Sequence, residues 1–431
     1  MADYDAIVVG AGCAGSVAAY ELASAGKNVL LIDRGIAPGN KNMTGGRIYT
    51  HSLNKIFGDC AKEAPFERRV THERISLMSQ RSDFTVDFSS ESMDVTGEDS
   101  YTVLRAKFDP WLASKAVDAG AKTLYGSPVT ALTKDATGKV TGAVVDGQTY
   151  TCDVMVLADG INSLLVQEGV GAANLKPEAV AVGLKEVIAL PANVITDRCN
   201  TNSDDEGTAW MFAGDATEGL FGGGFVYANR ESISVGLVVG METLVENADT
   251  PVYQMLENFK QHPSVAAVIK GGEVVEYSGH VIPEGGIKAM PALVGEGVLI
   301  AGDNAMMCMN LGFQVRGMDF AIEAGHHAGK CAAEALDRGD TSREALQTYV
   351  KKLENCFIME DLYQYEKTPQ FLEDFSRMFD TYPDMVRRIM NDMFIVKGTG
   401  VEPIGQSIMP IIKNVGIFHL LKDMRGAMKN L

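Results

Sequence analysis

The sequence predicts an α/β protein whose parallel-sheet domain is interrupted by an inserted antiparallel sheet and followed by a helical C-terminal region. Three observations predict it. An apolar strand at the N-terminus runs straight into a glycine-rich turn and a small-residue helix. Two later apolar strands end in Ala158-Asp159-Gly160 and in Gly302-Asp303. Between roughly residues 175 and 290, strand-like runs follow one another with one convincing helix. The expected boundaries are 1–174 with 291–340 for the first domain, 175–290 for the inserted sheet, and 341–431 for the helical region.

Taken in order, Asp5 to Gly10 is a short β-branched run that reads as a buried strand. A helix follows to Ala25, Gly26 stops it, and a second strand, Val29 to Ile32, ends at Asp33. The connecting turn is Gly10-Ala-Gly12-Cys13-Ala14-Gly15, a G-x-G-x-x-G with an acid about 20 residues on. Gly10 makes the tight turn, Gly12 lets the backbone approach a pyrophosphate, and Gly15 lets the helix pack on the strand. The helix N-terminus offers free N–H groups to phosphates, and Asp33 can accept from ribose hydroxyls. Strand, helix, second strand and terminal acid together imply a dinucleotide site.

Further along, Asp109-Pro110 reads as an N-cap with proline at the first helical position, opening a helix to Ala119. A strand near Ser127 to Thr133 leads to a hairpin with Asp146-Gly147 at its tip, whose return strand runs into Val154–Gly160. Gly297 to Ala301 is a buried strand ending in Gly302-Asp303. In the inserted region, Val180–Leu190, Thr208–Ala213, Leu220–Tyr227, Ile233–Val239 and Glu273–Ile282 read as strands, and Val252–Lys260 as the helix. An Ala-Asp-Gly strand end and a Gly-Asp strand end, in this order after a G-x-G-x-x-G, resemble the second and third fingerprints of FAD enzymes of the glutathione-reductase and hydroxylase type, and the resemblance implies FAD in a Rossmann-like domain.

Composition narrows the function classes. The 431 residues are 46% hydrophobic and 22% charged, which excludes a disordered, collagen-like or coiled-coil chain. A net charge of −18 repels phosphate backbones and argues against a nucleic-acid binder. The seven cysteines include no C-x-x-C and no metal-ligand spacing, so reduced thiols and no resident metal are expected. No basic segment precedes an apolar stretch at the N-terminus, and the uncharged run Ala6–Tyr20 is too short to span a bilayer. A cytoplasmic protein is expected.

Three longer stretches carry a family resemblance: Lys41-Asn-Met-Thr44-Gly45-Gly46-Arg47-Ile-Tyr49, Phe221-Gly222-Gly223-Gly-Phe225-Val-Tyr227, and Met309-Asn-Leu-Gly312-Phe313-Gln-Val-Arg-Gly-Met-Asp319. Over essentially its whole length the chain resembles the FixC-type flavoproteins, relatives of the electron-transfer-flavoprotein:quinone oxidoreductases and, more distantly, of the geranylgeranyl reductases. The resemblance implies a non-covalent FAD that takes electrons from an electron-transfer flavoprotein and passes them to a quinone, within a multi-subunit and bifurcating complex. The C-terminal four-cysteine module of the full-length quinone oxidoreductases is absent, which implies a separate ferredoxin-like iron–sulfur partner. Asn304-Ala-Met306-Met307 stands where relatives carry Ala-Ala-Gly, and the bulk is expected to crowd the cofactor.

The candidate cofactor residues are therefore Gly10, Gly12, Cys13, Ala14, Gly15, Asp33, Arg34, Thr44, Gly45, Gly46, Arg47, Arg105, Val129, Ala158, Asp159, Gly160, Gly302, Asp303, Gly312 and Phe313. For the quinone the resemblance implies Gly222 and Gly223, with Phe221 and Phe225 as apolar walls. The alternative for the glycines is close strand packing. A flavin carries the redox chemistry itself, so no general acid or base is nominated. His51, His280 and His327 are assigned structural roles, and the Met-rich run 306–309 either lines an apolar pocket or fills the core. Alternative activities are an ene-reductase of an isoprenoid or other unsaturated apolar substrate, a hydroxylase, or a subunit whose FAD only stabilises an assembly.

The last stretch, Ile408 to Leu431, departs from the acidic chain around it. Lys413, Lys422, Arg425 and Lys429 face one acid, Asp423, and Ile411, Val415, Phe418, Leu421, Met424 and Met428 recur at helical spacing. Such a stripe serves an anionic membrane surface, a partner subunit or the protein's own core.

Overall fold

The computed structural model describes residues 2–40, 46–58, 63–90, 93 and 99–431. Two sheets organise it. In the first, the five strands Val298–Ile300, Gln148–Leu157, Tyr4–Val9, Val29–Asp33 and Lys122–Tyr125 lie side by side and parallel. The central strands are apolar where both faces are covered, as in Ala6–Val9, Val29–Ile32, Val154–Leu157 and Val298–Ile300, whereas the edge strand Lys122–Tyr125 is partly exposed. The meander Val129–Lys134, Val140–Val145, Gln148–Leu157 is antiparallel, and its second turn is Asp146-Gly147, both at positive φ.

One face of this sheet carries the helix Cys13–Ser24, which packs on the long helix Met318–Arg338. Their approach is close enough that a Cβ on Gly325 would overlap the Ala14 carbonyl, and one on Gly329 would stand 2.6 Å from the Ala18 carbonyl oxygen. Glycine at both positions lets backbone meet backbone.

The second sheet has nine strands and is mixed. Glu273–Pro283, Val180–Ala189, Ser232–Gly240, Gly222–Ala228 and Glu206–Gly214 lie in that order, and their pairing is antiparallel as the sequence predicts. Glu206–Gly214 then pairs in parallel with Arg69–Ser79, which the sequence reading does not foresee. Arg47–Tyr49, Ser82–Ser89 and Ser100–Thr102 complete the sheet, so these strands and Arg69–Ser79 belong to it although they lie within the span 1–174. One face is sealed by Val252–Gln261, Pro263–Ile269 and Ala192–Cys199, whose Phe259, Val265 and Ile195 are buried in its core. The inserted region therefore holds more helix than the single one expected. Arg68 is fully buried at the junction and donates to the carbonyls of Asn229, Glu206, Ala192 and Arg230 at 2.7 to 3.1 Å.

Local rules mislead at two further places. The helix expected from Pro110 begins at Arg105, with Pro110 inside Arg105–Asp118. An i,i+4 ion pair between Arg105 and Asp109 holds the extra turn. The C-terminal stripe is split at Gly416 (φ +100°) into Ile404–Val415 and Ile417–Asn430, bent by 76°. Ile411 alone of the six stripe residues is buried, whereas Phe418 is 87% and Met428 82% exposed. Core packing therefore accounts for little of the stripe.

Candidate functional site

A cavity of about 400 Å³ lies where the parallel strands end, between the glycine-rich turn, the end of the second strand, residues 127–130, 158–165 and 301–303, and the start of the long helix at 317–321. That is where an open parallel sheet places ligands. Its volume falls within the roughly 300–1,000 Å³ of cofactor clefts. Thirteen of the candidate cofactor residues line it: Gly10, Gly12, Cys13, Ala14, Asp33, Arg34, Arg105, Val129, Ala158, Asp159, Gly160, Gly302 and Asp303.

The turn is built for close approach. Gly10 has φ +98°, and a Cβ there would overlap the Ala158 carbonyl oxygen. Gly15 does not line the cavity but packs beneath it, where a Cβ would overlap the Gly10 carbonyl oxygen. Gly12 is the N-cap of Cys13–Ser24 and provides no side-chain cap, so the first N–H groups of the helix stay available for an anion. Asp33 accepts from the Ala11 N–H at 2.7 Å and from the Gly35 N–H at 2.6 Å, which locks the turn to the end of the second strand. Each carboxylate oxygen keeps a second lone pair for a ribose hydroxyl.

Charged groups of both signs line the cavity. Burial works against the charge on Arg105, but Asp109, Cys13 and Asp303 around it hold its pKa above the ordinary value, so it is a fixed cation. Asp303 is pushed up by burial, with Arg105 opposing. Burial raises Asp159 to about 6, against hydrogen bonds from Ser163 and Asn304 and the charge of Arg34. Cys13 is pushed up to about 12 by burial, which makes it an inert wall rather than a reactive thiol.

Asn304 does not crowd the cavity as expected. It is buried in a short turn and donates from Nδ2 to the Leu157 carbonyl and to Asp159 Oδ1, both at 3.0 Å. Met306, Met307 and Met309 are buried in the core, the second of the two roles considered for that run. Three further walls escape the sequence reading. Gly39 (φ +81°) packs on the Arg105 carbonyl, Ser127-Pro128 leads into the strand Val129–Lys134, and Gly317-Met318 opens the long helix. Only the last has a local signal, a glycine ahead of a helix with Asp319 in its first turn.

Other candidates lie elsewhere. Arg47 is paired with Glu73, with Nη1 3.0 Å from Oε2, and its guanidinium lies 4.7 Å over the Tyr49 ring. Gly46 packs on the Tyr227 ring. Gly312 turns at φ +80° with its N–H on Asn310 Oδ1 at 2.9 Å, and Phe313 beside it is exposed. None of these lines the cavity. Thr44 and Gly45 lie outside the described residues. His51 Nε2 is 3.1 Å from Asp319 Oδ2, which ties the second sheet's edge to the cavity end of the long helix. His327 faces Glu323, and His280 is pushed down to about 4 by burial and by Arg105 and Arg34.

The acceptor candidates sit on the strand Gly222–Ala228. A Cβ on Gly222 would overlap the Val238 carbonyl oxygen, and one on Gly223 would stand 2.6 Å from that of Phe212. Strand packing therefore requires both glycines. Phe225 stacks on Tyr227 with centroids 5.0 Å apart, on the side of the sheet away from the sealing helices, and Phe221 meets Phe379 edge-on.

The glycine floor, the uncapped helix N-terminus and the fixed cation Arg105 match FAD in shape and charge. Comparison with known proteins agrees. Residues 3–356 match the FAD binding domain model, and residues 368–431 match the ETF-QO/FixC family C-terminal domain. The chain is 46% identical over 98% of both sequences to the probable electron transfer flavoprotein-quinone oxidoreductase YdiS of Escherichia coli K12. It is 47% identical over 97% of both to protein FixC of Salmonella typhi, and 39% identical over 97% of both to protein FixC of Azorhizobium caulinodans. Among solved structures, a geranylgeranyl bacteriochlorophyll reductase-like protein of Thermoplasma acidophilum superposes with a TM-score of 0.69 at 21% identity, covering 97% of this chain and 98% of that one, which shows a shared fold. On its cavity, its two matching models and its full-length relatives, this chain belongs to the electron-transfer-flavoprotein:quinone oxidoreductase and FixC family of FAD-dependent oxidoreductases.

Proposed function

We propose that this chain takes electrons from an electron-transfer flavoprotein and delivers them to a quinone, as one subunit of a multi-subunit, bifurcating complex with a ferredoxin-like iron–sulfur protein. Bound FAD supplies the ability to take an electron pair and release electrons one at a time. The chain's part is to hold that cofactor and bring the acceptor to it. Gly10, Gly12 and the start of Cys13–Ser24 receive the pyrophosphate, Arg105 balances its charge, and Asp33 takes the adenosine ribose.

The observation that carries the reading is the near full-length match to a relative named as a quinone oxidoreductase, joined to an apolar sheet face at the open side of the fold. Phe225 on that face stacks on Tyr227, whose ring packs on Gly46, and His51 a few residues further on contacts Asp319 at the cavity end of the long helix. A quinone is a flat ring on an apolar tail, and both features suit such a surface.

No single helix among the described residues is long and apolar enough to cross a membrane. The bent pair Ile404–Val415 and Ile417–Asn430, basic and largely exposed, instead suits a peripheral position on the cytoplasmic membrane face, where the quinone resides. The test is anaerobic reduction followed by rapid mixing with a short-tailed menaquinone analogue. Flavin reoxidation at a rate that rises with quinone concentration is expected, and a flavin that stays reduced overturns the reading.

A further inference from the structure

A second cavity, of about 490 Å³ and sharing no residue with the cofactor cleft, opens to solvent among the C-terminal helices. Arg377, Asp380 and the first two turns of Thr381–Phe394 form one wall, and Asn414, Val415 and His419 form the other. The break at Gly416 makes the second wall. Its φ of +100° turns Ile404–Val415 into Ile417–Asn430 at 76°, so the end of one helix and the start of the next face the same space. A Cβ on Gly416 would stand 2.8 Å from Cδ2 of His419, so glycine also lets that ring fold back against the bend.

The polar groups on these walls divide into satisfied and unsatisfied ones. Arg377 is held by Asp423, with Nε and Nη2 2.6 and 2.7 Å from the two carboxylate oxygens. Asp384 receives two Arg387 nitrogens on Oδ1 alone, and Asp380 accepts from the Thr381 N–H and hydroxyl on its own Oδ1. Among the described residues, Oδ2 of both acids is without a partner, and so are the Arg388 guanidinium, the Asn414 amide and the His419 ring. Asp384 and Arg388 stand one turn apart, about 6 Å along the helix, a spacing at which acid and base ordinarily pair. Here they line one cavity and leave each other unpaired. Spare carboxylate oxygens at one point and spare donors a helical turn away suit a ligand that carries a cation and an anion at that separation.

We propose that this cavity binds a phosphoethanolamine group, its phosphate accepting from Arg388, Asn414 and His419 and its ammonium donating to Asp384 and Asp380, with the head group of a membrane phospholipid as the source. Two carbons separate the phosphate ester oxygen from the ammonium, which matches a gap of one helical turn. A purely anionic head group would leave the two acids facing it, and a quaternary ammonium has no N–H to give them. The source follows from the surroundings. Phe418, next to His419 in the chain, is 87% exposed, and Leu421 and Met424 follow it at helical spacing, also exposed, so a head group held here has an apolar surface beside it. This rests on the membrane reading above and adds to it a choice among lipids that a basic stripe alone does not make.

The test sediments the FAD-loaded full-length protein and Arg388→Gln with vesicles that hold a fixed share of phosphatidylglycerol and, as the remainder, either phosphatidylethanolamine or phosphatidylcholine. Arg388 is exposed, so FAD content is expected to be unchanged in the variant. Wild type is expected to reach half-binding at an about 2- to 5-fold lower lipid concentration on the ethanolamine vesicles, as for a solvent-exposed ion pair, and Arg388→Gln to bind both vesicles alike. Equal binding of both vesicles by wild type overturns the head-group site and leaves the membrane reading standing. A preference that Arg388→Gln retains also overturns the site, because it then comes from lipid packing rather than from the cavity. No sedimentation with either vesicle overturns the membrane reading, and calorimetry with soluble glycerophosphoethanolamine then decides the cavity. Heat of binding in wild type that is lost in Arg388→Gln supports the phosphoethanolamine site with a free compound as the source, and no heat in wild type overturns it.

Discussion

Arg105 Nε and Nη2 lie 2.6 and 2.8 Å from the two carboxylate oxygens of Asp109, one turn further along the same helix. Asp109 is fully buried, and Arg105 lines the cofactor cavity. The pair aims a cation with a fixed geometry rather than a mobile surface charge. Arg105→Met is therefore expected to weaken FAD binding about 10- to 100-fold, with Asp109→Asn in between. Titration of apoprotein with FAD measures this, and an unchanged dissociation constant in Arg105→Met refutes the role.

Gly12 and Gly15 differ in what they protect. Gly12 lines the cavity, so a side chain there would enter the space a cofactor needs, whereas one on Gly15 meets the Gly10 carbonyl. Gly12→Val should therefore give soluble protein without FAD, and Gly15→Val should lose soluble protein altogether. Equal yields of yellow protein from both variants contradict this division.

Glu284 is pushed up to about 7 by burial, against a hydrogen bond from Asn310. Because the folded value lies above the ordinary 4.5, the folded state binds the extra proton between those values, and stability falls as pH rises through that window. Glu284→Gln removes the penalty. The variant should be more stable than wild type at pH 8 by about 1–3 kcal/mol, with the difference vanishing by pH 4.5. Urea unfolding at the two pH values, with FAD loading matched, reads the sign directly.

Arg68 satisfies several backbone carbonyls from three segments at once, at Ala192, Glu206 and Asn229-Arg230. Arg68→Met fills similar volume but leaves those oxygens unpaired, so a loss of about 3–5 kcal/mol is expected. A change in unfolding free energy under 1 kcal/mol would show that water replaces the guanidinium.

Truncation after Pro403 removes the exposed stripe and also Asp423, which pairs with Arg377 at 2.6 Å and with the Tyr382 hydroxyl at 2.5 Å. The shortened protein should keep FAD, lose a few degrees of melting temperature, and no longer sediment with anionic vesicles. Continued sedimentation would place the membrane contact elsewhere.

What could be read from the sequence follows the range of the interactions involved. The strand–glycine turn–helix unit and Asp33 are local, so spacing alone places them, and the same holds for the hairpin at Asp146-Gly147. The parallel pairing of Arg69–Ser79 with Glu206–Gly214 joins segments more than a hundred residues apart, and no local pattern encodes it. Pro110 misleads because proline usually opens a helix, and here the Arg105–Asp109 pair supplies an earlier turn. Gly223 misleads differently. Its pattern matches a quinone-contacting strand, yet the Phe212 carbonyl already forbids a side chain there, so Gly223→Val would disturb the sheet before it reported on an acceptor. The burial of Lys185 beside Glu276 is invisible without the fold, since a lysine in a β-branched run reads as an outward-facing residue.

The glycine-mediated contact of Cys13–Ser24 with Met318–Arg338 has a metric consequence. Each of these helices points its N-terminus into the same cavity, one at Gly12–Cys13 and the other at Gly317–Met318. Backbone touching backbone at Gly325 and Gly329 leaves no compressible side chain between them, so the distance between the two anchor points is set as rigidly as the jaws of a caliper. A ligand is gauged by its length as well as by its chemical groups. A molecule long enough to reach both, as FAD is, would be favoured over FMN or adenosine diphosphate.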